Sequence, residues 1–356
     1  MMLSQPLSEE QLRKVCILAL QGYEPCNCYI VYQGRQYRPC ELGIKYENGR
    51  AYRLIYDIQL SRPEDYLSVY QSCCNHDCKM CHSWYFSRTP AGSWYSIEDI
   101  VREAKEYQDM VTVWEPRERA TMWHASDLCM HCGLCATRGI RGPLCPGKLE
   151  PHQVVLSPQG WGPARNIISF TGGDLYCRVD FYEKLFRKLK EEAPKLWIKI
   201  ETNGYGLTEE NLRRYAEAGL DSIWLDLKAY REDVYKWLTG TTNKWVLKVP
   251  ELALKYNIVL EIVLLYIPGV VELDQIKEFG KYIASIDPDI PTMLIAYFPQ
   301  YKLKNREPTV IEMINAFYAL KEAGLKKVKI GNLGVFCKTP QDWQLLLSFI
   351  DRECLG

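Results

Sequence analysis

Residues 167–174 read IISFTGGD, residues 197–204 read WIKIETNG and residues 222–228 read SIWLDLK, and this stretch decides the fold. Each run begins with residues typical of a buried strand and ends in glycine or polar residues. Amphipathic helical patterns separate the runs. Because parallel neighbours need a crossover connection, this alternation of strand and helix predicts a parallel α/β sheet with right-handed crossovers.

The same alternation continues in both directions from this stretch. It fits a partial (β/α)6 barrel better than a closed eight-stranded one. A last unit, a helix over 310–323 and a strand over 328–330, is expected to extend or cap the barrel. The predicted strands are Tyr66–Gln71, Ile167–Thr171, Trp197–Glu201, Ser222–Leu227, Val259–Leu265 and Thr292–Phe298, and the helices between them are Asp180–Glu192, Glu209–Ala218, Glu232–Leu238 and Glu272–Ser285.

The N-terminal region has a different pattern. It predicts a helix over Ser8–Gln21 and short strands over Cys28–Tyr32, Gln36–Leu42 and Arg50–Ile58, with Asn48-Gly49 as a hairpin turn. We therefore expect a helix and antiparallel appendage over residues 1–61, a barrel over 62–305 and a C-terminal helix and strand extension over 306–356. About 95 residues separate the first two barrel strands, far more than most crossovers need, so we expect an insert over 110–160, after a helix at Ser96–Asp109.

Composition narrows the function classes. Of 356 residues, 47% are hydrophobic and 25% charged, as in an ordinary globular protein, which excludes wholesale disorder. Lys plus Arg equal Asp plus Glu at 44 each, so no overall basic charge favours nucleic acid or a membrane surface. Residues 1–14 lack the order of a secretory signal, so we expect a cytoplasmic protein. Fifteen cysteines then favour metal or redox chemistry over disulfides.

Three of these cysteines follow the first barrel strand. Cys74, Cys78 and Cys81 have the spacing Cys-x3-Cys-x2-Cys on a loop at the carboxyl end of that strand. Three thiolates can hold three irons of a 4Fe-4S cluster and leave the fourth iron open to a small molecule. The alternatives are a zinc knuckle that uses Cys78, Cys81 and either His76 or His82, and, for the neighbouring Cys73, a simple buried thiol.

The three cysteines and the aromatic segment Trp84–Phe86 resemble the radical S-adenosylmethionine (radical SAM) superfamily. Later motifs agree in order and spacing, and the set is most similar to the branch of glycyl-radical-enzyme activating enzymes typified by the pyruvate formate-lyase activating enzyme. The resemblance covers roughly residues 62–305, and an Asp stands where the family's Gly-Gly-Glu motif has Glu. The motifs are Phe170–Asp174, Glu201–Gly204, Leu225–Lys228, Leu238–Gly240, Ile267–Val270 and Tyr297–Pro299.

The resemblance implies ligands for S-adenosylmethionine at the strand ends. Gly172, Gly173 and Asp174 would receive its amino group, and Lys228 would face its carboxylate. Asn203 belongs to the third-strand motif and is expected among the cofactor-binding residues. Tyr297 and Phe298 would contact the adenine, although familiar members have His at the second position. The alternatives are a solvated Lys228 and core aromatic side chains.

The resemblance also implies a monovalent cation at Glu201, Thr202 and Asp226, which offer hard oxygen ligands. The alternative is that Glu201 and Asp226 serve as helix N-caps or as partners of Lys228.

A second set lies in the predicted insert. Cys129, Cys132, Cys135 and Cys145, the last followed by Pro146, resemble ferredoxin spacing, and four thiolates suffice to close a second 4Fe-4S cluster. Its role would be electron relay or structural support, and a structural zinc ion is the alternative. A third metal site from Cys26, Cys28, Cys40 and a neighbour is a weaker hypothesis, because no fourth ligand is evident.

The resemblance thus implies an enzyme that reductively cleaves S-adenosylmethionine to a 5′-deoxyadenosyl radical for hydrogen abstraction, with an external one-electron reductant such as ferredoxin or flavodoxin. Its substrate would be a glycyl radical enzyme, or alternatively a peptide, an RNA or a small metabolite. From a different class, the chain could be a non-catalytic iron-sulfur electron carrier or a zinc-stabilised module. We expect a macromolecular substrate, with the N-terminal hairpins and the insert flanking an open barrel mouth.

Overall fold

The structure is a computed structural model and describes residues 16–26 and 29–356. Its strands are β1 (Ile30–Tyr32), β2 (Arg35–Tyr37), β3 (Ile44–Glu47), β4 (Arg50–Leu60), β5 (Leu67–Gln71), β6 (Ser93–Ser96), β7 (Val155–Ser157), β8 (Gly160–Gly162), β9 (Ile167–Gly172), β10 (Trp197–Thr202), β11 (Ser222–Leu227), β12 (Val259–Tyr266), β13 (Thr292–Ala296) and β14 (Val328–Gly331).

Helices connect these strands. They are α1 (Ile17–Leu20), α2 (Pro39–Gly43), α3 (Trp84–Ser87), α4 (Ile97–Met110), α5 (Leu134–Arg138), α6 (Val179–Glu192), α7 (Glu209–Ala218), α8 (Glu232–Thr239), α9 (Val249–Lys255), α10 (Leu273–Ile286), α11 (Val310–Glu322), α12 (Leu333–Phe336) and α13 (Pro340–Phe349). No helix in the described part of the chain is long and apolar enough to cross a membrane.

One mixed sheet organises the molecule, in the order β14-β13-β12-β11-β10-β9-β5-β4-β3, with β6 also paired to β4. The pairs from β5 to β14 are parallel. All six predicted barrel strands are therefore present, and β14 adds a further parallel strand. Among the described strands the two outermost, β14 and β3, do not pair with each other, so the sheet is a partial barrel, as predicted.

The antiparallel strands differ in detail from the prediction. β3 and β4 form a hairpin in which Glu47 pairs with Arg50, and Asn48 and Gly49 both have positive φ, as the two-residue turn requires. The single strand predicted over Gln36–Leu42 is wrong, because β2 ends at Tyr37 and α2 begins at Pro39. Arg38 N donates to Glu41 Oε2 at 2.7 Å and caps this helix. The predicted N-terminal helix falls largely on residues outside the described ranges.

The cysteine-rich insert lies at the amino-terminal end of the parallel strands. Asp65, just before β5, is 2.9 Å from His131 Nε2, and Arg62 Nη1 donates to Pro163 O at 2.9 Å. Thr112 N and Val113 N donate to Ala164 O, just before β9. The insert was expected to flank the barrel mouth, but these contacts place it at the opposite end, because its two connections leave and rejoin the sheet there.

Buried charges fill the same end of the barrel interior. Glu261 on β12 accepts hydrogen bonds from Met122 N and Trp123 N, each at 2.8 Å, and its Oε1 lies 3.2 Å from Lys199 Nζ on β10. Lys329 on β14 donates to Trp123 O at 2.9 Å. Glu261, Lys199 and Lys329 are each at most 1% exposed, and together with residues 120–123 of the insert they form a floor under the barrel.

Candidate functional site

A cavity of about 420 Å³ opens at the carboxyl ends of the parallel strands. Every predicted site residue of the barrel except Gly173 lines it. The lining residues that were predicted from the sequence are Cys74, Cys78, Cys81, Gly172, Asp174, Glu201, Thr202, Asn203, Asp226, Lys228, Tyr297 and Phe298. The strand ends of a parallel barrel meet at one face, so motifs far apart in sequence arrive at one place.

Sequence analysis missed several lining residues, among them Thr171, Trp224, Ile295 and Asn332. Trp224 was within reach of a sequence argument. It stands two residues before Asp226 on β11, and alternate residues of a strand face the same side of the sheet. Asn332, in contrast, follows β14 with a φ of 58° and donates from Nδ2 to Ala296 O at 3.0 Å, a contact that no local pattern announces.

Backbone hydrogen bonds hold the cysteine loop at the cavity wall. Asn75 N donates to Asp174 O at 3.0 Å, Asp77 N to Thr239 O at 3.0 Å and Lys79 N to Leu238 O at 2.8 Å. The loop is therefore tied to the second-strand motif on one side and to the Leu238–Gly240 motif on the other.

Each of the three thiols has a polar neighbour. Asn203 Nδ2 lies 3.9 Å from Cys74 Sγ, and His76 Nδ1 lies 3.9 Å from Cys78 Sγ. Cys81 Sγ lies 3.3 Å from the Ser87 hydroxyl. Polar contacts of this kind tune the reduction potential of an iron-sulfur cluster.

The electrostatics of the three thiols suit metal binding. Burial, and then the negative charge of Asp174, raises the pKa of Cys74 to about 12. Burial also raises the pKa of Cys78, while the Lys228 ammonium lowers it. A bound metal deprotonates such thiols, and Lys228 would offset the resulting negative charge. The residues therefore fit a cluster held at this place.

The second strand motif is packed against the cysteine loop. Gly172 has a φ of 84°, and a Cβ on Gly173 would lie 2.3 Å from Cys73 O. Gly173 O accepts from Arg53 Nη2 at 2.9 Å. The two glycines therefore have a structural reason within the chain, the close approach of the loop, in addition to the ligand contact that the resemblance implies.

Asp174 organises the ends of β9 and β10. Its buried carboxylate accepts from Thr202 Oγ1 at 2.6 Å and from the backbone N–H groups of Asn203 at 3.0 Å and Tyr176 at 3.1 Å. Asn203 Nδ2 in turn donates to Asn75 Oδ1 at 2.7 Å. The carboxylate thus positions the third strand motif against the cysteine loop.

Glu201 and Asp226, two of the three expected cation ligands, have other partners in the structure. Asp226 forms an ion pair with Lys228. Glu201 accepts hydrogen bonds from Thr171 Oγ1 at 2.6 Å, Tyr66 OH at 2.9 Å and Ser169 Oγ at 3.1 Å. These contacts agree with the alternative in which Asp226 is the partner of Lys228.

The two aromatic residues after β13 differ in orientation. The Tyr297 hydroxyl donates to Leu303 O at 2.9 Å, and the side chain is only 2% exposed. Phe298 lines the cavity and meets the His82 ring edge-on at 6.0 Å between centroids. Phe298 is therefore the more accessible of the two for contact with a bound ring.

Arg53 on β4 holds the backbone of this region in place. No sequence pattern predicted this role for Arg53. The guanidinium is fully buried and donates to Ser72 O at 2.5 Å, Gly43 O at 3.0 Å and Gly173 O at 2.9 Å. One side chain from the antiparallel strands therefore ties together α2, the start of the cysteine loop and the glycine motif.

The insert brings its own cysteines together. A Cβ on Gly142 would lie 3.0 Å from Cys132 Sγ, and Cys145 N donates to Gly142 O at 3.0 Å. Burial, together with the charges of Asp65, Cys135 and Cys132, raises the pKa of Cys129 to about 11, against the lowering effect of the hydrogen bond from His131 N. Cys129 is buried, whereas Cys132 is exposed.

Within residues 16–26 and 29–356, no three or more side chains of His, Cys, Asp or Glu form a group that could hold a metal ion. A 4Fe-4S cluster takes one thiolate on each iron, so its cysteine sulfurs surround a cube and do not meet at one ion.

Comparison with known proteins agrees with this architecture. Residues 130–283 match the model of the Radical SAM superfamily, so this part of the chain resembles a radical SAM domain. The matched range begins inside the insert, downstream of Cys74, Cys78 and Cys81. Such domains are associated with a 4Fe-4S cluster and S-adenosylmethionine.

One relative has a more specific name than the superfamily. A protein of Methanocaldococcus jannaschii, provisionally named as a glycyl-radical enzyme activating enzyme, is 32% identical over 134 residues, which are 36% of this chain and 49% of the relative. The chain is therefore homologous to that protein, and spans about half the length of the curated relative it matches.

Solved structures also match parts of the chain. A domain of a pyruvate-formate lyase-activating enzyme from Bacteroides vulgatus is 19% identical, with a TM-score of 0.40, over 46% of this chain and 98% of that one. Streptococcus suis SuiB bound to S-adenosylmethionine is 13% identical, with a TM-score of 0.48, over 78% and 53%.

Proposed function

We propose that the chain binds a 4Fe-4S cluster through Cys74, Cys78 and Cys81 and cleaves S-adenosylmethionine to start hydrogen abstraction. One observation carries this proposal: the three cysteines, Lys228 and Asn203 share a single cavity at the strand ends. When bound, the reduced cluster supplies one electron to the sulfonium, which releases methionine and a 5′-deoxyadenosyl radical.

The residues of the chain have binding and positioning roles in this proposal. Lys228 supplies a cation for the carboxylate of the methionine part, while Asp226 holds the lysine in place through their ion pair. Asp174 orients Asn203 toward Cys74. Apolar side chains from β12 and β13, Leu265 and Ile295, line the cavity and limit the access of water.

We further propose that the substrate is a protein loop, and that a glycyl radical enzyme is the partner. The name of the M. jannaschii relative supports this choice. So do exposed aromatic side chains beside the cavity: Trp84 and Tyr85 directly follow the lining residue Ser83, and the Trp84 ring stacks on Tyr301 at 5.3 Å. Exposed aromatic residues of this kind are enriched where proteins dock.

The test is an anaerobic incubation of the reduced protein with S-adenosylmethionine. The proposal expects 5′-deoxyadenosine and methionine in equal amounts, no turnover with Cys78→Ala, and turnover near the wild-type level with Cys337→Ala, a buried cysteine on the C-terminal segment. An intact cluster without any cleavage would favour the electron-carrier alternative. Failure to form a glycyl radical on any encoded partner, with cleavage intact, would overturn only the proposed substrate.

A further inference from the structure

Four cysteines outside both described sets come from four separate segments of the chain. Cys16 precedes α1, Cys26 lies in the loop before β1, Cys40 belongs to α2, and Cys177 lies in the loop between β9 and α6. Cys26 and Cys177 are buried, and Cys16 and Cys40 are half-buried. All four pack in or against the main hydrophobic core.

Two of these segments meet at Tyr205 and Gly206, directly after β10. The Tyr205 hydroxyl donates to Glu24 O at 3.1 Å and to Pro25 O at 3.4 Å, which holds the chain just before Cys26. Gly206 packs so closely on the next loop that a Cβ would lie 2.4 Å from Cys177 N. The segment before Cys26 is therefore held by Tyr205, and Cys177 is held against the next residue, Gly206.

The other two segments reach the same place. Gly43, one helical turn after Cys40, would place a Cβ 2.8 Å from Leu175 Cδ1, two residues before Cys177. At the end of α1, Gln21 donates to Asn211 Oδ1 and accepts from Thr208 Oγ1, each at 2.8 Å. These residues begin α7, just after Gly206, so the segment of Cys16 is fastened beside the Cys177 loop.

Electrostatics agree with this convergence. Burial raises the pKa of Cys177 well above its usual range, and charges on Cys40, Cys26 and Cys16 raise it further. Burial raises the pKa of Cys40 to about 11, against the lowering effects of Arg178 and Arg38. The thiols of Cys74, Cys78 and Cys81 influence one another in the same way. The four thiols therefore lie within electrostatic reach of one another, beside two guanidinium groups.

We propose that Cys16, Cys26, Cys40 and Cys177 hold a third iron-sulfur cluster, of the 4Fe-4S type. Four thiolates satisfy one iron each, and soft sulfur ligands select iron-sulfur clusters or zinc. The described side chains form no group that could hold a single ion, whereas a cube accepts thiolates that are spread around it. Arg38 and Arg178 offset the negative charge that such a cluster carries.

The position of this site differs from that of the insert. A Cβ on Gly43 would also lie 3.1 Å from Cys73 Cβ, so α2 touches the loop that carries Cys74. The third site therefore stands at the cavity end of the sheet, whereas Cys129 lies at the opposite end. It is the better placed of the two to pass an electron to the Cys74 set.

The test is metal analysis of the full chain after anaerobic reconstitution with iron and sulfide, without S-adenosylmethionine. We expect about 12 irons and equal sulfide per chain, and about eight in Cys177→Ala and in Cys40→Ala, because each cluster contributes four. Cys337→Ala is the matched control and should retain the full content. Since Cys40 is half-buried, its variant keeps the test decisive if Cys177→Ala does not fold.

Two outcomes would overturn the proposal. One is a wild-type content of about eight irons that neither variant lowers. The other is one equivalent of zinc that disappears in both variants while iron is unchanged. The proposed function is tested separately, because Cys78→Ala would remove a different cluster and turnover does not enter this measurement.

Discussion

The two ends of the parallel sheet each carry a cysteine set, and the surroundings of these sets differ. At the carboxyl end, Cys74, Cys78 and Cys81 line a cavity together with Lys228 and the strand motifs. At the amino end, the insert cysteines lie beside a small apolar cluster of Val113, Cys129, Leu149 and Val154, with Cys132 exposed. In the described part of the chain, the first set shares its cavity with a lysine and several polar groups at the strand ends.

The number of cysteines and their position in the sheet together distinguish the two sets. Three thiolates leave a metal position open, and four close it. The three-cysteine set stands where the strand ends converge, and the four-cysteine set stands beyond the floor formed by Glu261, Lys199 and Lys329.

The largest effect is expected from removing one ligand at each end. Cys78→Ala and Cys132→Ala should each lose about four irons per chain. Only Cys78→Ala should also lose S-adenosylmethionine binding and cleavage, because the open position belongs to its cluster. Iron analysis, equilibrium dialysis and 5′-deoxyadenosine formation measure the three quantities. Loss of cofactor binding in Cys132→Ala alone would reverse the roles given to the two ends.

The next largest effect is expected from Arg53, which holds the backbone at the carboxyl end of the sheet. Arg53→Met should lower the free energy of unfolding by on the order of 3–5 kcal/mol, because several buried carbonyl groups lose their donor. Denaturant unfolding measures this change. Arg50→Met, on an exposed position of the same strand, is the control and should change stability by less than about 0.5 kcal/mol. Equal behaviour of the two variants would show that Arg53 does not hold the loop.

A smaller effect is expected from Lys228→Ala. The loss of one charge-assisted contact should weaken S-adenosylmethionine binding by on the order of 1.5–3 kcal/mol, which is about 10- to 150-fold. Titration calorimetry measures the affinity, and the iron content of both ends should stay the same. Lys236→Ala, on the exposed face of α8, is the matched control. An unchanged dissociation constant for Lys228→Ala would show that Lys228 does not contact S-adenosylmethionine.

The smallest effect concerns the attachment of the insert. His131→Ala removes the contact with the buried Asp65 and should cost about 1 kcal/mol, because Arg62 still pairs with that carboxylate. Amide exchange of residues 129–139 should become faster while exchange in residues 74–81 does not. His152→Ala, at an exposed position of the insert, should change neither.

Much of the barrel followed from sequence periodicity. The helix predicted over Glu209–Ala218 and the strand predicted over Ser222–Leu227 have the observed bounds, because their apolar spacing and end signals are local. The cavity residues were also accessible, since each motif directly follows its own strand. Helix α9 was not predicted.

What remained out of reach depends on contacts between distant segments. The placement of the insert is decided by pairs such as Asp65 with His131 and Thr112 with Ala164, which no spacing rule specifies. The same holds for Arg53, whose acceptors lie up to 120 residues away. Spacing showed that Cys26 and Cys40 lacked a fourth ligand nearby, and only the fold brings Cys177 to them.

The floor of the barrel also affects the order in which reactants would enter the cavity and products would leave it. In the part of the chain that the structure describes, residues 120–123 and the buried side chains of Glu261, Lys199 and Lys329 fill the amino end, so under the proposed function reactants and products would share the cavity mouth. A protein loop bound in that mouth would close the cavity. Small reactants would have to enter before it, and their fragments would leave only after it withdraws, which makes the sequence of arrival and departure a property of the architecture.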